Sequence, residues 1–270
     1  MDQQELEERR RTALLVTREA GALAADFYRQ RATLLVERKG LQDLVSEADR
    51  ATEELIVAAL SRDFPNDSFL GEEGGLRQRG PMLWVIDPID GTANFLRGIP
   101  HWCVSLGLMV GNEAVIGFLY DPIANEMFSA SRGHGAFLNG EAIKVSGESD
   151  LRQARIGLGF SYRRPVAPHA RDVETLLDAG CEYSRLGSGA LGLAYTAAGR
   201  FDGYFERHIN LWDVAAGLVI VDEAGGRTND FLTADVITAG NEILATTPAL
   251  FDPLRSLFDR SSDTAEQPAS

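Results

Sequence analysis

The sequence has few of the residues that thiol or soft-metal chemistry requires. Its 270 residues include two cysteines, Cys103 and Cys181, far apart and outside any CxxC context. That excludes a disulfide framework and a cysteine zinc site, and it predicts a reduced, cytoplasmic setting. The four histidines (His101, His134, His169 and His208) are scattered along the chain. No apolar run approaches the ~18 residues of a membrane span. The opening MDQQELEERRRTALLV is charged where a secretory leader would be apolar, so neither span nor leader is expected. Positive charge is also short: 26 Lys and Arg against 40 Asp and Glu give a net charge of −14. Nucleic acid and anionic membrane both need a basic footprint, so neither is expected as a primary partner. An anionic small molecule remains compatible if something local inverts the sign.

Several signatures are missing. There is no Walker-type Gly-Lys-Ser/Thr loop, which leaves nucleotide-driven phosphoryl transfer unsupported. Gly187-Ser188-Gly189 departs from the Gly-x-Ser-x-Gly elbow and reads as a helix start. In Gly133-His134-Gly135 the dinucleotide fingerprint fails, because Leu138 stands where the third glycine belongs; a turn is expected.

What is present is an ordinary globular composition, 44% hydrophobic and 24% charged. Helical spacing of Leu6, Ala13, Leu14, Thr17, Ala20, Ala24, Phe27 and Tyr28 predicts an amphipathic helix over 4–30. A short strand is expected at 33–37. A second helix runs from a Ser46–Asp49 capping box to about residue 62. Residues 67–146 read as strands at 68–70, 82–86, 102–110, 114–120 and 127–130, with turns at Gly111-Asn112-Glu113 and Asn139-Gly140. From 151 onward strands (154–160, 183–186, 201–206) alternate with helices (170–179, 189–199, 212–224, 248–258). The polar end SSDTAEQPAS is expected to be disordered. The alternation predicts a layered α/β architecture with a mixed sheet in each half. We take 1–260 as one unit, an α+β half at about 1–146 and an α/β half at about 151–260, with 261–270 as a tail.

The acidic residues carry the chemistry. In Trp84–Phe95 an apolar strand is expected to stop at Asp87, since Pro88 has no N–H to extend a ladder. Asp90-Gly91 then turns the chain, with Asp90 placed to cap a short helix from Thr92, whose free N–H groups could seat a phosphate. A plain solvated turn accounts for the same residues equally well. Glu72 and Glu73 follow a strand inside Gly71–Gly75, and Asp213 opens an apolar helix. Each could be a solvated loop or an ordinary cap. Taken together, Glu72, Asp87, Asp90 and Asp213 all sit at element boundaries, where α/β proteins gather functional side chains. Carboxylates from separate elements, with a backbone carbonyl such as that of Ile89, suit Mg²⁺. Two or three such ions would invert the local sign and attract a phosphate.

These residues resemble the inositol monophosphatase-like family of Mg²⁺-dependent phosphatases. The resemblance lies in Gly71-Glu72-Glu73, Asp87-Pro88-Ile89-Asp90-Gly91-Thr92, Trp212-Asp213-Val214-Ala215 and Glu223-Ala224-Gly225-Gly226. It continues in Lys39 with Asp43–Asp49 and in Arg185–Ala190, and spans about residues 10–255. It implies an αβαβα five-layer sandwich, the sugar-phosphatase fold, usually as a homodimer. It also implies that Glu72, Asp87 and the Ile89 carbonyl hold one Mg²⁺, that Asp87, Asp90 and Asp213 hold a second, and that Glu72 helps with a weaker third. Thr92, paired with Asp49, and Glu72 would orient the attacking water. Gly91 and Thr92 would meet the phosphate; Glu206, Asp213 and the backbone at Gly189 would line the substrate side. Without the resemblance, Asp49 reads as a plain capping residue and Glu206 as a solvated strand end. Lithium sensitivity is a family expectation. The chain departs from the pattern at Ala93, where a second Thr is common, and at Asn210, where animal inositol monophosphatases have His. Arg207 and His208 could meet a second charged group or coat the surface. Relatives with the same metal core hydrolyse histidinol phosphate, fructose bisphosphate or 3′-phosphoadenosine nucleotides. Some bacterial relatives also bind transcription factors, which leaves a non-catalytic role open.

Overall fold

The computed structural model describes residues 2–40, 43–77, 80–162, 164–233 and 236–263, without the side chains of 38–40, 43–45, 238 and 261–263. The side chains of Lys39 and Asp43–Val45, which contribute to the family resemblance, therefore lie outside the described residues.

The amphipathic first helix, α1 (Gln3–Arg29), buries Ala13, Thr17, Ala20 and Ala24 of the expected stripe, with Val16 beside them. The strand expected at 33–37 begins later. Arg31–Thr33 is a single 3₁₀ turn, with Thr33 N donating to the Gln30 carbonyl, and β1 (Val36–Gly40) follows it. β1 pairs antiparallel with β2 (Asp43–Ser46). Ser46 then caps α2 (Glu47–Asp63). Next come β3 (Ser68–Gly71), β4 (Gly75–Arg77), β5 (Met82–Asp90) and the short α3 (Thr92–Arg97). β6 (Cys103–Val110) and β7 (Glu113–Asp121) form the expected hairpin, followed by β8 (Glu126–Ser131), β9 (Ala136–Leu138) and β10 (Glu141–Ile143). The eight strands lie in the order β10-β9-β8-β7-β6-β5-β3-β4, and only β3 and β5 run parallel.

The later residues give β11 (Arg155–Leu158), α4 (Val166–Asp178), β12 (Glu182–Ser184), α5 (Gly189–Ala197), β13 (Gly203–Ile209) and α6 (Leu211–Glu223). Then follow β14 (Arg227–Thr228), α7 (Val236–Ala239), β15 (Asn241–Thr246) and α8 (Pro248–Asp263). Their five-stranded sheet has the order β12-β11-β13-β15-β14. α8 extends through 261–263, the first part of the expected tail; 264–270 lie outside the described residues.

Five layers result. α1 and α2 cover one face of the large sheet through a core of Ile56, Trp84, Ile86 and Leu106. α5 and α6 fill the middle, joining Leu191 and Val219 to Phe128 of one sheet and Ile243 of the other. α4 and α8 close the far side over Ile156, Phe205 and Leu244. α6 can be apolar all round because sheet and helix enclose it: nine of its 13 residues are buried. Two of the large-sheet glycines set how close it comes. A Cβ at Gly107 or Gly117 would lie 3.0 and 2.3 Å from the Ala215 side chain and the Ala216 carbonyl respectively. The N-terminus of α6, with Asp213, is thereby held against the end of β5.

No helix among the described residues is long and apolar enough to cross a membrane.

Candidate active site

β5 does not stop at Asp87. It continues through Pro88 to Asp90, and the reason lies in its pairing with β6. Asp87 faces Ser105 and Asp90 faces Cys103, so β5 advances three residues while β6 advances two. That extra residue is a β-bulge, the one interior strand position where a proline lacking N–H is tolerated. In a regular strand, residues an odd number apart point to opposite faces. The bulge cancels the alternation and returns Asp87 and Asp90 to one side.

Asp90 does not cap α3 either. Gly91 occupies the N-cap with φ +96° and no side-chain cap. Only glycine fits there, because a Cβ would also press on the carbonyls of His101 and Gly187 at 3.2 and 3.3 Å. The Asp90 carboxylate reaches instead to the start of α5. It accepts from Gly189 N (3.3 Å), Ala190 N (2.8 Å) and, in a short contact, the Ser188 hydroxyl. Gly187-Ser188-Gly189 is therefore a helix start, as expected, and a carboxylate from the other sheet is bonded to it.

Asp213 arrives on the first turn of α6, its Oδ2 accepting from Asn210 N at 2.9 Å. Asp87, Asp90 and Asp213 each offer an oxygen within 4.8 Å of the other two. Burial, then the neighbouring charges of Glu72, Asp90 and Asp213, push Asp87 well above the usual carboxylate range. Burial and the charge of Asp213 raise Asp90 to about 7. No arginine or lysine among the described residues pairs with Asp87 or Asp90. Glu72 lies outside this cluster but close enough for its charge to act on Asp87. Its turn, which joins β3 to β4, is held by a residue the sequence reading missed. Buried Glu53 accepts from Glu73 N (2.8 Å) and Gly74 N (2.9 Å), and a Cβ at Gly71 would collide with it at 2.3 Å. The loop is thus tied down from below rather than left as solvated charge. Glu53 lies one turn beyond Asp49 on α2, and its burial is set by the fold and not by a local signal.

The capping box forms, and it leads into the site. Asp49 Oδ2 accepts from Ser46 N (2.8 Å) and Ser46 Oγ (2.6 Å), while Oδ1 faces the Thr92 hydroxyl at 3.2 Å. That hydroxyl also lies 3.0 Å from the Ile89 carbonyl, so it can donate to either acceptor. Burial raises Asp49, with the Ser46 bonds pulling the other way.

A cleft of about 150 Å³ opens beside the cluster, lined by Asp90, Asp213, Gly189, Tyr204 and Glu206 among others. Glu206 is a buried carboxylate, not a solvated strand end. Burial lifts it to about 8 against the hydrogen bond from Tyr204. A second bulge, between Glu206 and Ile209 of β13, sits at this cleft. Arg207 and His208 do not coat the surface. Arg207 donates to both oxygens of Asp172 (2.7 and 2.5 Å) and to the Phe258 carbonyl, and His208 packs with Nε2 2.9 Å from the Ala239 carbonyl.

The donor set fits a hard divalent cation: clustered carboxylates, two of them buried, drawn from two elements, β5 and α6. A soft atom lies nearby: Cys103 Sγ is 4.0 Å from Asp90, and burial keeps its thiol protonated. A model of the inositol monophosphatase family matches residues 5–260. The chain belongs to the inositol monophosphatase family. It is 45% identical over 220 residues to the Nus factor SuhB of Xylella fastidiosa, covering 81% of this chain and 80% of that one. It is 40% identical over 234 residues to the inositol-1-monophosphatase of Rhizobium meliloti, covering 83% and 88%. Among solved structures, the extragenic suppressor protein suhB of Bartonella henselae shares its fold with a TM-score of 0.87 at 33% identity, covering 93% of this chain and 98% of that chain. Membership of the inositol monophosphatase family, with the carboxylate cluster in place, makes this chain a metal-dependent phosphatase.

Proposed function

We propose that this phosphatase hydrolyses the monoester of a small polyol or sugar, with inositol monophosphate as its substrate. The observation that carries the reading is the pairing of the Asp87–Asp90–Asp213 cluster with a cleft whose far wall presents Glu206. Asp87, Asp90, Asp213, Glu72 and the Ile89 carbonyl would hold two or three Mg²⁺. Such ions, when bound, lower the pKa of a water and neutralise charge on phosphoryl oxygens. The protein's own groups do the rest. The Thr92 hydroxyl, donating to Asp49 or to the Ile89 carbonyl, keeps a lone pair for the attacking water and turns that water's free pair toward phosphorus. Glu72 would take the same water from the other side. The N–H groups of Gly91 and Thr92 hold phosphate oxygens, and Glu206 accepts from a substrate hydroxyl. Transfer goes directly to water, in line, without a phosphoenzyme.

Arg207, next to Glu206 in the chain, is committed to Asp172, but Arg185 lines the cleft and its charge acts on Glu206, so the choice between a monophosphate and a bisphosphate is left to the assay. Histidinol phosphate, fructose 1,6-bisphosphate and 3′-phosphoadenosine 5′-phosphate are the rivals. The test is phosphate release from each, and from inositol 1-phosphate, with and without Mg²⁺ and Li⁺. Turnover of inositol 1-phosphate at least tenfold above the rest, dependent on Mg²⁺ and depressed by Li⁺, is expected. Preference for another substrate overturns the assignment. We further propose a cytoplasmic homodimer, to be checked by sedimentation.

A second reading has an observation behind it: the relative at 45% identity is named as a Nus factor. A protein with no activity on the panel that retains a transcription factor in a pull-down would have a partner role in place of catalysis. The complete acidic set favours activity.

A further inference from the structure

Glu206 has one hydrogen-bond partner among the described residues, and it comes from its own strand. Tyr204 and Glu206, two residues apart on β13, point to the same side, and the phenol donates to Glu206 Oε2 at 2.7 Å. Both line the cleft. The tyrosine is 5% exposed, and the space for it is made by glycines. A Cβ at Gly157 or Gly192 would sit 2.8 or 2.4 Å from the ring. At Gly159 it would sit 2.4 Å from the phenol oxygen and 2.0 Å from Oε2, and at Gly189 3.4 Å from the phenol oxygen. None of the four has a positive φ, so their backbone does not require glycine. Their absent side chains leave room for an aromatic ring, contributed from β11, the residue after it, and the start of α5.

A phenylalanine would fill the same cradle. The hydroxyl costs free energy to bury unless partnered, and the partner it has is the carboxylate that faces the substrate. One carboxylate oxygen is thereby occupied, the side chain is held in a single orientation, and Oε1 is left to accept from the cleft.

We propose that Tyr204 is a positioning residue for specificity: by tying Glu206 Oε2 through its phenol, it presents a single acceptor, Oε1, to a hydroxyl of a polyol phosphate. The ligand class it selects carries a free hydroxyl donor close to the phosphorylated carbon. An aryl phosphate, which has no such hydroxyl, gains nothing from the arrangement. This rests on the polyol-phosphate reading of the cleft and adds to it the residue that sets the acceptor.

The test compares kcat/KM for inositol 1-phosphate with that for p-nitrophenyl phosphate in the Mg²⁺-loaded protein. Tyr204→Phe should lower the ratio about tenfold, the scale of one lost hydrogen bond, through a raised KM for inositol 1-phosphate with kcat changed far less. Gly159→Ala, whose Cβ meets both the phenol and the carboxylate from the residue after β11, should lower the ratio likewise. Glu206→Gln should lower it at least as far, and adding Tyr204→Phe to Glu206→Gln should lower it no further. A ratio unchanged in Tyr204→Phe, while Glu206→Gln loses it, overturns the role of Tyr204 alone. Additive losses in the double variant do the same. A ratio that ignores Glu206→Gln overturns the substrate reading itself.

Discussion

Two sets of buried carboxylates can be compared within this chain. Asp67, the residue before β3, is nearly sealed from solvent and accepts from Arg9 Nε and Nη2 (3.3 and 3.2 Å) and from the Trp84 indole at 3.0 Å. Asp172 is likewise met by Arg207. Asp87 and Asp90 are as deeply buried, yet no cation among the described residues meets them: burial and the charges of Glu72, Asp90 and Asp213 push Asp87 up, and burial and the charge of Asp213 push Asp90 up against its bonds from Ser188, Gly189 and Ala190. A buried charge must be paired or neutralised. Where the protein supplies the cation, the carboxylate is structural. Where it supplies more anions, the counter-charge has to come from outside, and the site is functional.

The largest effect should come from breaking the second set. Asp90→Asn keeps the shape and removes a charge from the cluster. Phosphate release should fall by about a thousandfold or more, as when a transition-state interaction is lost. Calorimetry on the same preparation shows whether the variant is folded, and a phosphate assay reads the loss. Near-normal turnover in a well-folded variant would contradict the assignment.

Breaking the first set should do the opposite. Asp67→Asn strands the Arg9 guanidinium, which is 12% exposed beside a carboxylate 4% exposed. Loss of one partner of a buried pair costs about 3–5 kcal/mol. Denaturant unfolding should report that loss, and kcat at low temperature should stay within about twofold, because Asp67 touches nothing in the cleft.

The comparison also predicts a pH dependence. Asp90 stands at about 7 and Glu206 at about 8 in the metal-free fold, against about 4 for a carboxylate in the unfolded chain. The folded state therefore holds extra protons across that window. The stability they contribute is complete below about pH 4 and is lost as pH rises through about 7 and 8, at about 1.4 kcal/mol per pH unit per extra proton. Saturating Mg²⁺, by holding the cluster ionised, should flatten the slope. A metal-free protein that grows more stable from pH 5 to pH 8 would show that these carboxylates are not in conflict.

The sequence exposed the composition of this site more readily than its geometry. The layered fold, the α6 helix and the α5 start are legible because hydrophobic period, capping residues and glycine stops act locally. The spacing of Asp87 and Asp90 misleads: three residues apart with a proline between, they read as a strand end and a turn. Their convergence depends on β6 advancing one residue less than β5, and no local rule contains the partner's register. Glu53, Tyr204 and Ser188 escaped for a similar reason, since each acts on a group brought near by the fold. Arg207 could be read either as surface or as a contact to a second charged group, because its counter-ion, Asp172, is 35 residues away on α4.

Asp49 lies between the two sets and gives the smallest predicted effect. It is buried and has no cation, but Ser46 satisfies Oδ2 twice, through N–H and hydroxyl, leaving Oδ1 for Thr92. Ser46→Ala removes the hydroxyl and keeps the N–H. The helix should lose about 1 kcal/mol for its cap. The carboxylate, freed to rotate, should hold Thr92 less firmly, lowering kcat by about three- to tenfold, on the order of 1 kcal/mol of barrier, with KM within about twofold. Ser46→Thr, which restores the donor, should recover both. If kcat holds while stability falls, Ser46 is only a cap, and Asp49 belongs with the structural carboxylates instead.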